Sequence, residues 1–225
     1  METEKKRLVV LISGRGSNMG SLLEAAKNRE FDGEIVAVIS NKASAAGLDI
    51  ARKAGIAASV VDHNAYQSRE DFDAALLSLV ASYQPDLVIL AGFMRILTPV
   101  FVRPLRGKLI NIHPSLLPKY PGLHTHERAI AAGDSEAGAT VHFVTEELDG
   151  GPAIIQARVP ILPEDTPETL AARILEQEHK IFIEAVRLLC SDQVNYAEPG
   201  YTLANGKALP ESGIIYNQSC SGLSP

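Results

Sequence analysis

Leu109-Ile110-Asn111-Ile112-His113-Pro114-Ser115-Leu116-Leu117-Pro118-Lys119-Tyr120-Pro121-Gly122 is the stretch on which the reading of the fold turns. Its apolar opening predicts a strand, and Pro114 must end that strand because proline cannot donate to a ladder. Side chains alternate faces, so Asn111 and His113 point the same way. The pair then sits at the strand's carboxyl end, which is where ligands bind in an open α/β sheet. An amide beside an imidazole can donate hydrogen bonds to one developing oxyanion. Asn111 and His113 are therefore candidate catalytic residues, with the rest of the chain as their scaffold.

Working outward, Leu8-Val9-Val10-Leu11-Ile12 is a continuous apolar run, as expected of a strand covered on both faces. It passes through Ser13-Gly14-Arg15-Gly16-Ser17-Asn18 into helical spacing over 19–26. Strand, glycine turn, helix is an arrangement that offers backbone N–H groups and a helix dipole to an anion. As a GxGxxG dinucleotide fingerprint it is imperfect, since Met19 stands where the third glycine belongs. No GK[ST] follows, so it is not a Walker loop. A single phosphate fits better than a dinucleotide, and a plain tight turn stays open.

Strands are expected at 35–40, 58–61 and 85–92, with helices around 45–54 and 68–82. That alternation predicts an α/β fold with a doubly wound, mostly parallel sheet. Phe93-Met94-Arg95-Ile96-Leu97-Thr98-Pro99 follows as an apolar loop at a strand's carboxyl end. It reads either as packing under the next short helix or as a backbone cradle for an apolar heterocycle. Beyond the central strand come a helix over 127–132 and two strands, 138–144 and 153–159, an antiparallel addition in the C-terminal half. Leu148-Asp149-Gly150-Gly151-Pro152 lies between them, and Asp-Gly-Gly is a turn signal by itself. If that turn returns to the central strand, Asp149 would favour the imidazolium form of His113. The spacing leaves that contact open.

Thr166-Pro167-Glu168 places a cap before proline at the first helical position. The helix is expected to run to about 189, with Leu170, Ile174, Ile181, Ala185 and Leu188 on its buried side and Glu178 and His179 on a solvated one. From Ser191 the composition shifts to Gly, Pro, Asn and Ser, and the tail to Pro225 is expected to be irregular, with room for a hairpin.

The chain has 225 residues and a net charge of −6, ordinary for one soluble α/β domain and unlike a general nucleic-acid or anionic-membrane binder. Two cysteines, Cys190 and Cys220, make no disulfide framework, and His124-Thr125-His126 lacks a third metal ligand. No metal is expected. Without a signal-peptide pattern or an apolar span, a soluble, cytoplasmic protein is expected.

The string Asn111-Ile112-His113-Pro114-Ser115-Leu116-Leu117-Pro118, with Tyr120-Pro121-Gly122, resembles the signature of the folate-dependent formyltransferases. The glycine turn at 13–18, the loop 91–97 and the turn 148–152 extend the resemblance over roughly 7–190. Within that family it implies the branch that transfers a formyl group from 10-formyltetrahydrofolate to the amine of glycinamide ribonucleotide, in purine biosynthesis. Asn111, His113 and Asp149 would be the catalytic trio. Gly16, Ser17 and Asn18 would hold the ribonucleotide's phosphate, and Glu178 would meet its sugar. Met94, Arg95, Ile96 and Leu97 would line the pterin pocket, with Asn111 touching the folate and Arg69 assisting.

The resemblance also implies one formyltransferase domain over 1–190, its N-terminal half binding nucleotide and its C-terminal half folate, followed by a 191–225 tail. The folate is a cosubstrate, so no tightly bound cofactor is expected, and the chain is expected to be a monomer or homodimer. Methionyl-tRNA formyltransferase would carry a larger C-terminal domain suited to RNA. Formyltetrahydrofolate hydrolase would carry an N-terminal regulatory domain and have no use for a phosphate loop. A nicotinamide-dependent dehydrogenase or a non-catalytic binding module are the readings outside the family.

Overall fold

Three short aliphatic runs form the middle of the molecule, a computed structural model that describes residues 5–216. They lie in β1 (Lys6–Ile12), β2 (Gly33–Ser40) and β4 (Leu87–Leu90), whose aliphatic side chains are almost all buried. Leu8, Val10 and Ile12 enter the core on one side of the sheet, and Val9 and Leu11 enter the core on the other. This two-sided burial is why the runs are continuous rather than alternating. β3 (Ala57–Val60) and β5 (Leu109–His113) complete the parallel part.

β6 (Glu136–Phe143) runs antiparallel to β5, and β7 (Ala153–Pro160) antiparallel to β6. Among the described residues the sheet has eight strands in the order β11-β7-β6-β5-β4-β1-β2-β3, where β11 is Ile214–Ile215. The fold is thus the expected doubly wound, mostly parallel sheet with an antiparallel addition. Its order reverses between β1 and β4, both of which pair outward from the centre. The carboxyl ends of these two strands define the crevice where such sheets bind ligands.

The helices α1 (Ser17–Lys27), α2 (Gly47–Lys53), α3 (Arg69–Ser82), α4 (Pro99–Val102), α5 (Thr125–Ala131) and α6 (Pro167–Cys190) cover the faces. α6 is the longest, at 24 residues, and its Thr166 hydroxyl and Thr169 cap one another reciprocally, with Pro167 just inside. It lies on β6, β7 and α1. The stretch after Cys190 is more ordered than its composition suggests. β8 (Val194–Ala197), β9 (Tyr201–Ala204) and β10 (Lys207–Ala208) form a small antiparallel sheet, and β11 joins the main sheet beside Ile155 and Gln156. Cys220 lies outside the described residues. No helix among them is long and apolar enough to cross a membrane.

Candidate active site

Ser13 joins the two strand ends that flank the reversal point. Its hydroxyl accepts from the Met94 amide (2.8 Å) and donates to Asn41 Oδ1 (2.6 Å), tying the loop after β4 to the loops after β1 and β2. Gly16 begins α1 at φ +76°, and a Cβ there would lie 2.9 Å from Gly47 Cα, so this turn requires glycine. The first-turn amides of α1 have no intrahelical acceptor. Ser17 is exposed and Asn18 buried. Asn18 Nδ2 donates to Glu178 Oε2 (2.7 Å), while its Oδ1 is buried with no partner. Burial pushes the Glu178 carboxyl above its usual range, opposed by that hydrogen bond. Contrary to the solvated face expected for it, Glu178 is 9% exposed, on the buried stripe between Ile174 and Ile181.

A second locus lies at the end of β5. Asn111, His113 and Asp149 line one cavity of about 570 Å³ with Met94, Arg95 and Ile96. The Asp-Gly-Gly turn does return to the strand, and Asp149 Oδ2 is 3.5 Å from His113 Nδ1. The same oxygen accepts from the Gly122 amide at 2.8 Å, so the carboxylate is fixed before any ligand arrives. His113 Nε2 faces the Tyr120 carbonyl at 2.9 Å. A carbonyl can only accept, so Nε2 carries a hydrogen and Nδ1 is the nitrogen presented to Asp149.

His142 is the residue that the sequence reading passed over. It pairs with Asn111 across β5 and β6, and its Nε2 lies 3.2 Å from Asn111 Nδ2. Its Nδ1 meets the Phe143 carbonyl at 2.9 Å. Complete burial holds its pKa down to about 4 against the pull of that carbonyl and of Asp149, so the ring is neutral, with its hydrogen on Nδ1. Nε2 then accepts from one hydrogen of the Asn111 amide, leaving the other directed elsewhere. A signal was present: Thr140 and His142, two apart in an apolar strand, repeat the spacing of Asn111 and His113 opposite. Thr140 Oγ1 donates to the Ser115 carbonyl (2.7 Å) and accepts from the Leu117 amide (3.1 Å), fastening the loop after β5.

Met94 and Ile96 are 69% and 58% exposed, and Leu123 and Leu148 also stand open around the cavity, an apolar rim of the kind that marks a ligand site. A smaller slot of about 110 Å³ is lined by Phe93, Leu97 and the Asp149 turn. Arg69 does not line either space; its guanidinium donates to the Ile96 carbonyl and so braces the loop. The Arg95 guanidinium lies 5.1 Å from the Phe72 ring centroid. His124 begins α5 at φ +58° beside Glu127, and His126 lines the cavity with its buried Nε2 unpartnered. Burial, and then the nearby His113, lower the His126 pKa. No group of three or more His, Cys, Asp or Glu side chains among the described residues is arranged to hold a metal.

A helix N-terminus with free first-turn amides, and a cavity with an apolar rim lined by an amide, an imidazole and a carboxylate, define a doubly wound α/β group-transfer enzyme. Residues 6–186 match the Formyl transferase family, and the chain belongs to it. It is 48% identical over 211 residues to the phosphoribosylglycinamide formyltransferase of Escherichia coli K12, spanning 94% of this chain and 99% of that one. It is 45% identical over 199 residues to the human trifunctional purine biosynthetic protein adenosine-3, spanning 88% of this chain and 20% of that polypeptide. The solved phosphoribosylglycinamide formyltransferase of Coxiella burnetii superposes with a TM-score of 0.91 at 46% identity, covering 95% of this chain and all of that one.

Proposed function

We propose that this chain transfers a formyl group from 10-formyltetrahydrofolate to the amine of glycinamide ribonucleotide, releasing tetrahydrofolate, as a step of purine biosynthesis. The observation that carries this reading is the convergence of Asn111, His113 and Asp149 in one cavity that Met94, Arg95 and Ile96 also line. Gly16, Ser17 and Asn18 hold the ribonucleotide's phosphate at the start of α1, and Glu178, reached through Asn18, meets its sugar. The backbone of Met94, Arg95, Ile96 and Leu97 receives the pterin in the slot, with Arg69 bracing that loop from behind. The folate acts as a cosubstrate rather than a resident cofactor, and the reaction belongs in the cytoplasm.

The chemistry follows from the donors. The neutral amine adds to the formyl carbon, and the carbonyl oxygen becomes an oxyanion. The free hydrogen of the Asn111 amide donates to it, and His113 adds an Nδ1–H donor once Nδ1 has taken up a proton beside Asp149. The attacking nitrogen must lose a proton and N10 of the departing folate must gain one. His113, facing Asp149 through Nδ1, relays it. Removing one oxyanion donor typically costs about 2.7–4 kcal/mol of barrier. Asn111→Ala and His113→Ala are each expected to lower kcat by about a hundredfold or more with the fold intact.

The test is incubation with both substrates, following tetrahydrofolate release against acceptor concentration. Release that requires glycinamide ribonucleotide supports the reading. Equal release without it makes the protein a hydrolase and overturns it.

A further inference from the structure

The loop between β5 and α5 carries a network that the transfer chemistry above does not use. Tyr120 is a non-glycine residue at φ +57°, a conformation that L side chains avoid. Its hydroxyl donates to Asp134 Oδ2 (2.9 Å), which belongs to the turn after α5. Lys119 Nζ spans the same carboxylate, at 2.9 Å to Oδ1 and 3.0 Å to Oδ2. The Arg128 guanidinium lies 5.1 Å from the centre of the Tyr120 ring and donates to the Pro121 carbonyl at 2.7 Å. The Ser115 hydroxyl holds the Lys119 carbonyl from the other side at 2.7 Å. All of this fixes one backbone atom that matters to the site, the Tyr120 carbonyl oxygen facing His113 Nε2.

We propose that Asp134 is a positioning residue: through the Tyr120 hydroxyl it aims the Tyr120 carbonyl at His113 Nε2, so that Nδ1 alone exchanges the catalytic proton. The inference rests on the role proposed for His113 in formyl transfer. Because the carbonyl only accepts, Nε2 keeps its hydrogen in both charge states of the ring. Proton gain and loss are confined to Nδ1, the nitrogen turned toward Asp149 and the cavity. Without the anchor, rotation of the 119–121 backbone lets the neutral ring place its hydrogen on either nitrogen. The half with Nδ1 protonated and Nε2 bare cannot accept a proton on the side where the reaction occurs. The protonation preferences agree with the direction of these bonds. Asp134 is held below the usual carboxylate range by Lys119 and then Tyr120, and the Tyr120 hydroxyl is pushed up chiefly by its bond to Asp134, so the hydroxyl is the donor.

The ionisable groups facing His113 are Asp149 from the β6–β7 turn, His142 from β6 and His126 from α5. Those facing Asp134 are Lys119, Tyr120 and, across the ring, Arg128. Asp134→Ala removes the anchor, whereas Asp134→Asn keeps an oxygen to accept from the Tyr120 hydroxyl, and Tyr120→Phe cuts the same bond from the other end. Long-range 1H–15N spectra of the imidazoles of the resting protein, assigned by a His113→Gln variant, read the tautomer with no substrate present. The expected result is a single Nε2–H tautomer for His113 in the parent and in Asp134→Asn, and a mixture in Asp134→Ala and Tyr120→Phe. With both substrates, kcat falls about tenfold in those last two variants, the scale of one hydrogen bond, and Asp134→Asn recovers most of it. KM for each substrate and the thermal midpoint stay close to the parent's.

An unmixed Nε2–H tautomer in Asp134→Ala overturns the proposal, as does a loss in Asp134→Asn equal to that in Asp134→Ala. A fall in kcat that comes with matching rises in both KM values and a lowered midpoint also overturns it, because that is the pattern of a loop merely unfastened. If the parent fails to formylate glycinamide ribonucleotide, the functional reading fails while the tautomer measurement still stands.

Discussion

His142 shows how one buried neutral ring can set the aim of the Asn111 amide, the proposed oxyanion donor. Its pKa of about 4, against an ordinary 6.5, means that the unfolded chain binds a proton in that window and the folded chain does not. Stability contributed by the neutral ring is therefore full above pH 6.5 and is lost as pH falls toward 4. His142→Gln keeps an acceptor for Asn111 without a titrating group. Urea midpoints measured from pH 4.5 to 7 are expected to fall less steeply on acidification in this variant than in the parent, and an unchanged slope would show that His142 is charged when folded. His142→Phe, which offers no acceptor, is expected to lower kcat about tenfold, the scale of one mispositioned hydrogen bond. Glu178 has the opposite sign. Its carboxyl is raised by burial, so the folded protein holds a proton that the unfolded chain has released above pH 4.5, and the cost of the buried charge grows as pH rises through the raised value. Glu178→Gln retains an acceptor for Asn18 and is expected to unfold at a higher temperature than the parent at pH 8, with the gap closing near pH 4. A lower midpoint at pH 8 would mean that the charged form is the one the fold favours. The burial of Glu178 and the place of His142 in the site were not read from the sequence, for different reasons. Glu178 sits four after Ile174 and three before Ile181, squarely on the apolar stripe, so its burial was legible and was outweighed by its charge. His142 depends on an antiparallel register with β5 that no local pattern states.

Among the elements, those with strong periodic or boundary chemistry were the legible ones. The continuous runs of β1, β2 and β4, the Ser68 and Thr166 caps of α3 and α6, and the proline ending β5 all appear where their residues require. β8 to β11 were not legible, because strands of two to four residues carry no period of their own and are defined by what they pair with. The loop elements around the cavity are positioned by long-range bonds that likewise leave no local trace. One of them is testable. Arg103, just past α4, makes two hydrogen bonds to Glu146 in the turn that carries Asp149, Nε to Oε1 at 2.7 Å and Nη2 to Oε2 at 3.0 Å. Glu146 also lines the slot that the pterin is proposed to enter, together with Val102. Both side chains are exposed, so the pair adds little to global stability, and its effect falls on the turn. Glu146→Gln is expected to raise KM for the formyl donor about threefold while leaving the thermal midpoint alone, the modest scale of one exposed ion pair. The parent's KM is expected to rise with salt, and the variant's to be flat, because exposed charges are screened over roughly 10 Å at 0.1 M. A variant with the parent's KM and salt response would assign the turn's position wholly to the Asp149–Gly122 bond.

At the scale of the whole molecule, the half proposed to hold the nucleotide and the half proposed to hold the folate share a single sheet rather than abutting as two bodies. β1 delivers the turn proposed to hold the phosphate and β4 the loop proposed to hold the pterin, and the two strands are hydrogen-bonded neighbours whose following loops are joined by Ser13 and Met94. α6 then crosses the layer beneath both, touching α1 on the nucleotide side and β6 and β7 on the folate side. A cavity opened in that helix must weaken both halves at once. Phe182 is fully buried in the core on this face. Phe182→Ala is expected to cost about 3–5 kcal/mol, the range for deleting a buried aromatic side chain. If the sheet is one cooperative unit, the parent and the variant each unfold in a single transition, with fluorescence and far-ultraviolet circular dichroism coincident. Glycinamide ribonucleotide, which binds only the folded state, then raises the midpoint of that whole transition, including the signal from the folate side. Two resolved transitions, or a ligand that shifts only the earlier of two, would divide the chain into separately folding halves. In that case the site would be assembled by docking of the halves, and the bond between Ser13 and Met94 would be its hinge.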